Sequence, residues 1–131
     1  MDIIGIGIDL VRIARIREAD ERWGKRFLER VFTPSEIGYA VDHVSPYPRF
    51  AGQFAVKEAI LKAMGTGWRG GVRWTDIEIS HAPSGAPRVA LSGRTGEVFR
   101  EKGGERIYTS ITHEEEYAVA QVVITGTIPT P

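Results

Sequence analysis

Cysteine is absent from the 131-residue chain. The absence excludes disulfide bonds, thiolate metal sites and a cysteine nucleophile, and it fits the reducing cytoplasm in which we expect the protein. The chain also lacks any apolar run approaching the roughly 20 residues that a membrane-spanning helix needs. Lys and Arg number 17, as do Asp and Glu, so the basic excess of a general nucleic-acid binder is missing. We therefore expect neither a membrane nor a nucleic-acid partner.

The residues that are present have the composition of an ordinary globular domain, with 42% hydrophobic and 26% charged residues. The length predicts a single domain over residues 1–126, followed by a frayed C-terminal tail over residues 127–131. Strand and helix patterns occur in separate parts of the chain. They predict an α+β fold in which a mostly antiparallel sheet packs on one long helix.

The first third of the chain predicts a strand and two helices. β-Branched residues and two glycines over 3–10 predict a buried strand that Asp9 closes. Residues 11–30 are helical in pattern and basic, with seven Lys or Arg against four Asp or Glu. Gly24 predicts a break between two helices.

Capping residues and loops mark the elements that follow. The run Thr33-Pro34-Ser35-Glu36 predicts a helix start with a capping box. A loop over 45–48 precedes the long helix, predicted over 49–64 and ended by Gly65-Thr66-Gly67. Further elements are strands over 76–80, 88–91, 106–112 and 117–125 and a short helix over 95–102.

Asp9 has two interpretations. A carboxylate at the end of a strand lies at the mouth of a sheet, where ligands often bind, but Asp is also a favoured helix N-cap. Position alone favours the cap. Gly5 and Gly7 do not complete a dinucleotide fingerprint, because Leu10 takes the place of the third glycine.

The long helix places charged residues beside an apolar stripe. Core positions share this stripe: Phe50, Phe54, Ile60, Leu61 and Met64. Glu58 lies at its edge and Lys62 one turn further on, with the small Ala51 and Ala55 on the same side. This arrangement suits a helix that approaches a phosphate, or an exposed i,i+4 ion pair worth about 0.2–0.5 kcal/mol. Lys57 lies near the stripe and is predicted to extend its ammonium to solvent.

Two further positions allow a ligand contact. Gly65-Thr66-Gly67 is first a helix stop, but its free amides also suit an anion. His113 follows Ser110 and Thr112 at a strand end, which favours ligand contact, although a lone His is more often structural. His43 and His81 fall in predicted loops without evident partners. The three tryptophans are interpreted as packing residues: Trp23, Trp68 and Trp74.

Five segments in chain order match one family. They are Gly5-Ile6-Gly7-Ile8-Asp9-Leu10 with Arg15-Ile16; Phe32-Thr33 with Glu36; Phe54-Ala55-Val56-Lys57-Glu58-Ala59 with Lys62-Ala63 and Gly65-Thr66-Gly67; Asp76-Ile77-Glu78-Ile79 with Gly85, Pro87, Val89 and Leu91; and Ser110-Ile111-Thr112-His113 with Ala118-Val119-Ala120. With them the chain resembles the holo-acyl-carrier-protein synthases, the small homotrimeric class of 4′-phosphopantetheinyl transferases. The third segment is the most specific, and together the five span almost the whole chain.

The resemblance implies a fold, a reaction and a metal. The reaction transfers the 4′-phosphopantetheine arm of coenzyme A to a serine of apo acyl carrier protein, with adenosine 3′,5′-bisphosphate as the second product. The implied catalytic residues are Asp9, Glu58 and Lys62, with Asp9 and Glu58 as ligands of Mg²⁺. Two carboxylates leave most of an octahedral shell for water and phosphate oxygens, and Lys62 suits the charge on the leaving phosphate. Glu58 and a water on the metal both stay open as the base.

The resemblance also implies binding residues and an assembly. Coenzyme A contacts are implied for Lys62, Gly65, Thr66, Gly67, Thr112 and His113. Acyl carrier proteins are acidic, and the implied docking residues are Arg15, Arg22 and Arg26. Gln53 departs from the Arg that many members carry, and Arg49 is the candidate replacement. Active sites between the subunits of a homotrimer are implied as well.

Two alternatives to the transferase would each need only some of these residues. A metal-dependent hydrolase of nucleotide pyrophosphates needs Asp9 and Glu58 but not the basic helix. A non-catalytic module that binds acidic carriers needs the basic helix but not Asp9, Glu58 and Lys62 together. The sequence does not identify the carrier, which belongs to fatty-acid or to polyketide synthesis.

Overall fold

The computed structural model describes residues 1–130, so Pro131 of the predicted tail lies outside the described residues. These residues form strands, helices and one 3-10 turn over Trp74–Asp76. In chain order the elements are β1 (Asp2–Arg12), α1 (Ile13–Trp23), α2 (Lys25–Val31), α3 (Pro34–Val41), α4 (Tyr47–Met64), β2 (Ile77–His81), β3 (Pro87–Leu91), α5 (Gly93–Glu101), β4 (Gly104–His113) and β5 (Tyr117–Gly126).

The strands form two antiparallel sheets. The larger has the order β1-β5-β4, and β2 and β3 form a separate pair. β5 lies in the centre of the larger sheet, where it pairs with β1 and β4 along almost its full length. Helix α4 packs on the inner face of this sheet, against the alternate β5 residues Ala118, Ala120, Val122 and Ile124. The predicted α+β architecture is therefore confirmed.

Helix α4 is buried on almost every side. Thirteen of its 18 residues are buried, so the predicted stripe is core but the rest of the helix does not face solvent. The prediction that Lys57 reaches solvent is wrong, because its side chain is 0% exposed. Its ammonium donates to Glu36 Oε1 at 2.7 Å, to the Val31 carbonyl at 2.8 Å and to the Trp74 carbonyl at 3.0 Å. All three donors are satisfied inside the protein, which is the condition for burying an ammonium.

Glu36 joins three elements around this buried ammonium. Its backbone N–H donates to Thr33 Oγ1 at 3.3 Å and its Oε1 accepts from the Thr33 N–H at 2.8 Å, which confirms the capping box. Its Oε2 accepts from the Ile79 N–H of β2 at 2.7 Å. Burial lowers the pKa of Lys57, and the Glu36 carboxylate opposes that shift. Glu36 thus fixes α3, α4 and β2 relative to one another.

The glycines of β1 allow the strand to contact α4 closely. A Cβ at Gly5 would overlap the Ala63 carbonyl, and one at Gly7 would overlap the Ala59 carbonyl. Any side chain at these positions would hold the strand away from the helix. The two glycines therefore set the distance at which the next inward-facing residue, Asp9, approaches α4.

The other face of β1 is open. Ile3, Ile6, Ile8 and Leu10 are between 61% and 70% exposed, so the prediction of a buried strand is wrong for this face. Only the glycine face packs on α4, and nothing in residues 1–130 covers the opposite face. Tyr108 of β4 continues this apolar surface across the sheet.

Several boundaries differ from prediction by a few residues. β1 extends through Arg12, so the first helix begins at Ile13, while the break at Gly24 is confirmed. Helix α4 begins at Tyr47, because proline is tolerated in a first helical turn. Thr127 donates its N–H to the Gly103 carbonyl at 3.0 Å, so the tail is anchored where it begins. Within residues 1–130 no helix is both long enough and apolar enough to cross a bilayer.

Candidate active site

Asp9, Glu58 and Lys62 come together where β1 crosses the C-terminal half of α4. The Lys62 ammonium donates to Asp9 Oδ1 at 3.0 Å and to the Ile8 carbonyl at 2.9 Å. The Asp9 side chain is 14% exposed and the Lys62 side chain 55%, so the pair lies at the surface with the lysine outermost. The packing of β1 on α4 positions all three residues.

Two simpler interpretations are wrong: that Asp9 caps the first helix, and that Glu58 and Lys62 form an exposed i,i+4 ion pair. Asp9 lies inside β1, and the N-cap of α1 is Arg12, so Asp9 does not cap the helix. Among the ion pairs of residues 1–130, Lys62 pairs with Asp9 and not with Glu58. The i,i+4 spacing suggested a contact along the helix, but the neighbouring strand supplies a closer carboxylate.

Glu58 is half-buried beside Asp9. Burial raises the pKa of Glu58 above its usual value, and the nearby Asp9 carboxylate raises it further. Lys62, Arg15 and hydrogen bonding with the Trp68 side chain lower this pKa. Two carboxylates that repel each other in this way form a place where a cation is favoured.

The donor set fits Mg²⁺ in combination with a phosphorylated substrate. Residues 1–130 contain no group of three or more His, Asp or Glu side chains arranged to hold a metal. Asp9 and Glu58 alone make an incomplete shell. Mg²⁺ commonly binds through one or two carboxylates and takes its other ligands from water and substrate phosphates. The residues present therefore fit that ion as they stand.

The turn after α4 begins beside Lys62. Gly65 has a left-handed φ of 74° and its N–H donates to the Leu61 carbonyl at 2.9 Å, so the predicted helix stop is confirmed. Thr66 Oγ1 donates to the Gly67 carbonyl at 3.0 Å. Gly67 also has a positive φ, of 58°. The turn is therefore a run of conformations that glycine favours, next to the carboxylate site.

His113 lies in a different part of the chain's surface. It lines a cavity of about 370 Å³ together with Arg49, Gln53, Tyr39 and His81. None of Asp9, Glu58 and Lys62 lines this cavity. Thr112 is exposed, and as the neighbouring strand residue it points to the opposite face of the sheet. Within one chain, the residues predicted to contact coenzyme A therefore do not form a single site.

The cavity around His113 contains a fixed cation and an aromatic stack. Arg49 donates from a guanidinium nitrogen to the Tyr39 carbonyl at 2.8 Å, and its guanidinium lies 4.3 Å from the centre of the Tyr39 ring. Tyr39 stacks on His81 at 4.0 Å. Burial and the nearby Arg49 lower the pKa of His81. Gln53 is buried, and its Oε1 has no hydrogen-bond partner in residues 1–130.

The comparisons with known proteins agree along nearly the whole chain. The 4′-phosphopantetheinyl transferase superfamily matches residues 5–122. A holo-[acyl-carrier-protein] synthase from Koribacter versatilis (strain Ellin345) is 45% identical over 122 residues, which cover 93% of this chain and 98% of the relative. The chain belongs to the 4′-phosphopantetheinyl transferase superfamily.

Solved structures of this superfamily have the same fold. The crystal structure of the holo-[acyl-carrier-protein] synthase from Neisseria meningitidis aligns with a TM-score of 0.87 and 35% identity, covering 95% of this chain and 99% of that one. The Helicobacter pylori synthase in complex with coenzyme A aligns with a TM-score of 0.81 and 38% identity, covering 92% and 99%. The resemblance inferred from the five sequence segments is therefore confirmed.

The three arginines predicted to dock a carrier divide between two locations in this transferase. Arg22 stacks on Trp23 at 5.0 Å, and Arg26 lines an open groove with Trp23 and Phe27. Arg15 instead lies over the Phe54 ring at 5.6 Å and influences Glu58. Arg15 therefore stands between the α1–α2 surface and the carboxylates. Trp23 was predicted to be a packing residue, but its side chain is mostly exposed.

Sequence reasoning missed three side chains of this transferase. Trp68 is predicted to pack, and it does stack on Trp74, but its side chain is also one of the groups that lower the pKa of Glu58. Tyr39 was not singled out, and no partner was found for His81, although the two stack on each other. Separations of 10 residues from Trp68 to Glu58 and 42 from Tyr39 to His81 leave no periodic signal in the sequence.

Proposed function

We propose that the chain is a holo-acyl-carrier-protein synthase. It transfers the 4′-phosphopantetheine arm of coenzyme A to a serine of apo acyl carrier protein and releases adenosine 3′,5′-bisphosphate. The observation that carries the proposal is the convergence of Asp9, Glu58 and Lys62 in a chain that matches synthases over nearly its full length. The cytoplasmic location expected from the absence of cysteine belongs to the same proposal.

The chain's own side chains supply the groups that the transfer needs. Asp9 and Glu58 would hold Mg²⁺, which when bound neutralises charge on the pyrophosphate of coenzyme A. A bond forms between the serine oxygen and the β-phosphorus, and the bond to the 5′-phosphate oxygen of the adenosine product breaks. The exposed Lys62 ammonium stabilises negative charge on that leaving phosphate. Glu58, with its raised pKa, is the candidate that this chain offers as the base for the serine proton.

Two surfaces are proposed for the two substrates. Lys62 contacts coenzyme A near its pyrophosphate, and the glycine turn Gly65-Thr66-Gly67 contributes with Thr112 and His113 to holding its nucleotide end. Arg49 supplies the cation of the His113 cavity, where Gln53 is neutral. The acidic carrier docks on the basic surface of α1 and α2, through Arg15, Arg22 and Arg26, which favours rapid and oriented encounter.

A homotrimer with active sites between subunits is part of the proposal. Two observations support it: the exposed apolar face of β1, and the separation of the His113 cavity from Asp9 and Glu58 within one chain. A second copy seated on the apolar face can bring its own His113 cavity to the carboxylate site. Light scattering should then give the mass of three chains, and Ile8→Asp should reduce it.

Mass spectrometry with purified carriers tests the transfer. The protein is mixed with coenzyme A, Mg²⁺ and apo carriers from fatty-acid and polyketide synthesis, and a carrier should gain the mass of one phosphopantetheine group. No gain with several carriers would overturn the proposal. Cleavage of coenzyme A without carrier would favour the hydrolase, and carrier binding without modification would favour the binding module.

The metal assignment has its own test. Glu58→Gln and Asp9→Asn should each lose most Mg²⁺-dependent turnover while the melting temperature stays near that of the wild type. Either amide removes one charged ligand from a site that has only two, which accounts for the severity. A variant that keeps a near-normal rate at low Mg²⁺ would show that its carboxylate is not a metal ligand.

A further inference from the structure

All three histidines of the chain line the cavity around His113. They come from different parts of the fold, because His43 follows α3, His81 ends β2 and His113 ends β4. Within residues 1–130, no Asp or Glu side chain lines this cavity. A cavity with several groups that can become positive, and with no carboxylate to oppose them, favours an anion.

Arg49 is the one fixed cation among the lining residues that the structure describes. It is held in place by its hydrogen bond to the Tyr39 carbonyl and by its position over the Tyr39 ring. Gln53, where the family resemblance implies an Arg, is neutral. One guanidinium does not balance a phosphomonoester, whose charge is about −1.5 to −2 at neutral pH. Among these lining residues, only the histidines can supply further positive charge.

His81 is the innermost of the three histidines. His43 and His113 are exposed, whereas His81 is half-buried and stacks on the Tyr39 ring at 4.0 Å. Burial and the charge of Arg49 lower the pKa of His81, so its imidazole is neutral in the protein alone near neutral pH.

The surroundings of His81 contain nothing that replaces an anionic ligand. The titratable and charged groups that share its cavity are Tyr39 of α3, Arg49 of α4 and the other two histidines. The charged residues Glu78 and Arg88 belong to the opposite face of the β2–β3 pair, because side chains alternate along a strand. A phosphate in the cavity would offset the charge of Arg49 and attract a proton to the imidazole, and both effects favour the charged form of His81.

We propose that His81 takes up a proton when the cavity binds a phosphomonoester group, so that the affinity for this group rises as the pH falls. The inference rests on the proposed function, which places the nucleotide end of coenzyme A in this cavity. The 3′-phosphate is the single phosphomonoester of coenzyme A, so it is the group that His81 would recognise. The protonated imidazole adds a second charged donor to that of Arg49.

Calorimetry with coenzyme A tests the proton uptake on wild-type protein, with Mg²⁺ present and carrier absent. In two buffers of different ionisation enthalpy, the heat of binding at about pH 7.5 should differ by the amount that uptake of about half a proton requires. Dephospho-coenzyme A lacks the 3′-phosphate and should show almost no uptake. Equal heats in the two buffers with coenzyme A, or equal uptake with both ligands, would overturn the inference.

The pH dependence of affinity gives a second measurement. The dissociation constant of coenzyme A should fall about fivefold between about pH 8 and about pH 6.5, because one imidazole becomes charged in this range. The phosphate itself titrates near pH 6, and losing its second charge would weaken binding, so it does not produce this change. A dissociation constant that stays constant or rises over this range would contradict the proposal.

Two substitutions of one residue should have opposite effects. His81→Gln cannot take up the proton, so its affinity for coenzyme A should lose most of its pH dependence and stay near the wild-type value at about pH 8. His81→Lys carries a permanent charge and should bind at about pH 8 as tightly as the wild type binds at about pH 6.5. His43→Gln, at the exposed rim, is the matched control and should keep most of the pH dependence. Full pH dependence in His81→Gln, or its loss in His43→Gln, would overturn the assignment to His81.

The mass assay for transfer is independent of these measurements. Transfer to a carrier without proton-linked binding of coenzyme A would reject this inference alone. Proton-linked binding without transfer to any carrier would support the anion site and reject the proposed function.

Discussion

Helix α4 carries two lysines whose surroundings differ in almost every respect. Lys57 and Glu36 form a pair with both side chains 0% exposed and 2.7 Å between nitrogen and oxygen. Lys62 and Asp9 form a pair with side chains 55% and 14% exposed, at 3.0 Å. The first ammonium has all its donors used inside the protein, whereas the second lies at the surface where a substrate can reach it. The same chemical pair thus serves the fold in one place and is available for chemistry in the other.

The two lysine pairs should differ in their effect on stability because only one of them is accessible to water. Breaking a buried pair leaves a charge without water or partner, which is strongly destabilising, while an exposed pair contributes little because water replaces the lost partner. Damage to stability should therefore concentrate at Lys57, and damage to turnover at Lys62. The predictions below test this separation.

Lys57→Met should have the largest effect, lowering the free energy of unfolding by about 3–5 kcal/mol because the Glu36 carboxylate stays buried without its cation. Chemical denaturation measures this loss. The double variant Lys57→Met with Glu36→Gln removes the unpaired charge and should lose less than the sum of the two single variants. A loss below about 1 kcal/mol in the single variant would mean that the pair resembles a surface ion pair.

Lys62→Ala should lower kcat by about 10²–10³, equivalent to about 2.7–4 kcal/mol, because positive charge at the leaving phosphate is lost. Its free energy of unfolding should change by less than about 1 kcal/mol. Steady-state kinetics and denaturation on one preparation give both numbers. Lys102→Ala, an exposed lysine at the end of α5, is the control and should affect neither. A stability loss as large as that of Lys57→Met would remove the contrast between the two lysines.

Gly7→Ala should disturb both regions, because the added methyl group overlaps the Ala59 carbonyl and pushes β1 away from α4. Forcing extra volume into a packed contact costs about 1–3 kcal/mol. The shift also carries Asp9 away from Lys62, so Mg²⁺-dependent turnover should fall with stability.

Gly38→Ala is the matched control for this substitution. Gly38 lies within α3 and an added Cβ meets nothing within 4 Å. Alanine should therefore stabilise the helix by about 0.5–1 kcal/mol. Equal unfolding free energies for the two alanine variants would show that β1 does not need its glycines.

Local signals made much of the fold predictable. The capping box of Thr33 and Glu36, the break at Gly24 and the helix stop at Gly65 each depend on neighbouring residues, and all are confirmed. The burial of Lys57 was not predictable in this way. Two of its acceptors, the Val31 and Trp74 carbonyls, lie 26 and 17 residues away in sequence, so periodicity places Lys57 beside the stripe but cannot supply its partners.

The site was predictable only through the resemblance. Taken singly, Asp9 resembled a helix cap and Glu58 a surface ion-pair partner, because the contact between β1 and α4 is not encoded in the spacing of either. Gly7 allows β1 to lie close enough to α4 for Asp9 and Glu58 to be neighbours. The sequence does not show this, because the contact of Gly7 with the Ala59 carbonyl is known only from the structure. The role of the two carboxylates in holding a metal remains a prediction.

Arg15→Glu should have the smallest effect. It tests whether the exposed pair of Lys62 and Asp9 lies beside a docking surface for the carrier. Repulsion between Glu and an acidic carrier should raise the KM for the carrier about tenfold, equivalent to about 1.4 kcal/mol, while the KM for coenzyme A changes much less. The difference should shrink at high salt, because screening weakens exposed charges. Arg22→Glu, further along α1 and stacked on Trp23, is the comparison. Because Arg15 also lies over Phe54 and influences Glu58, an equal rise in both KM values would instead place its action at the carboxylates and not at the carrier.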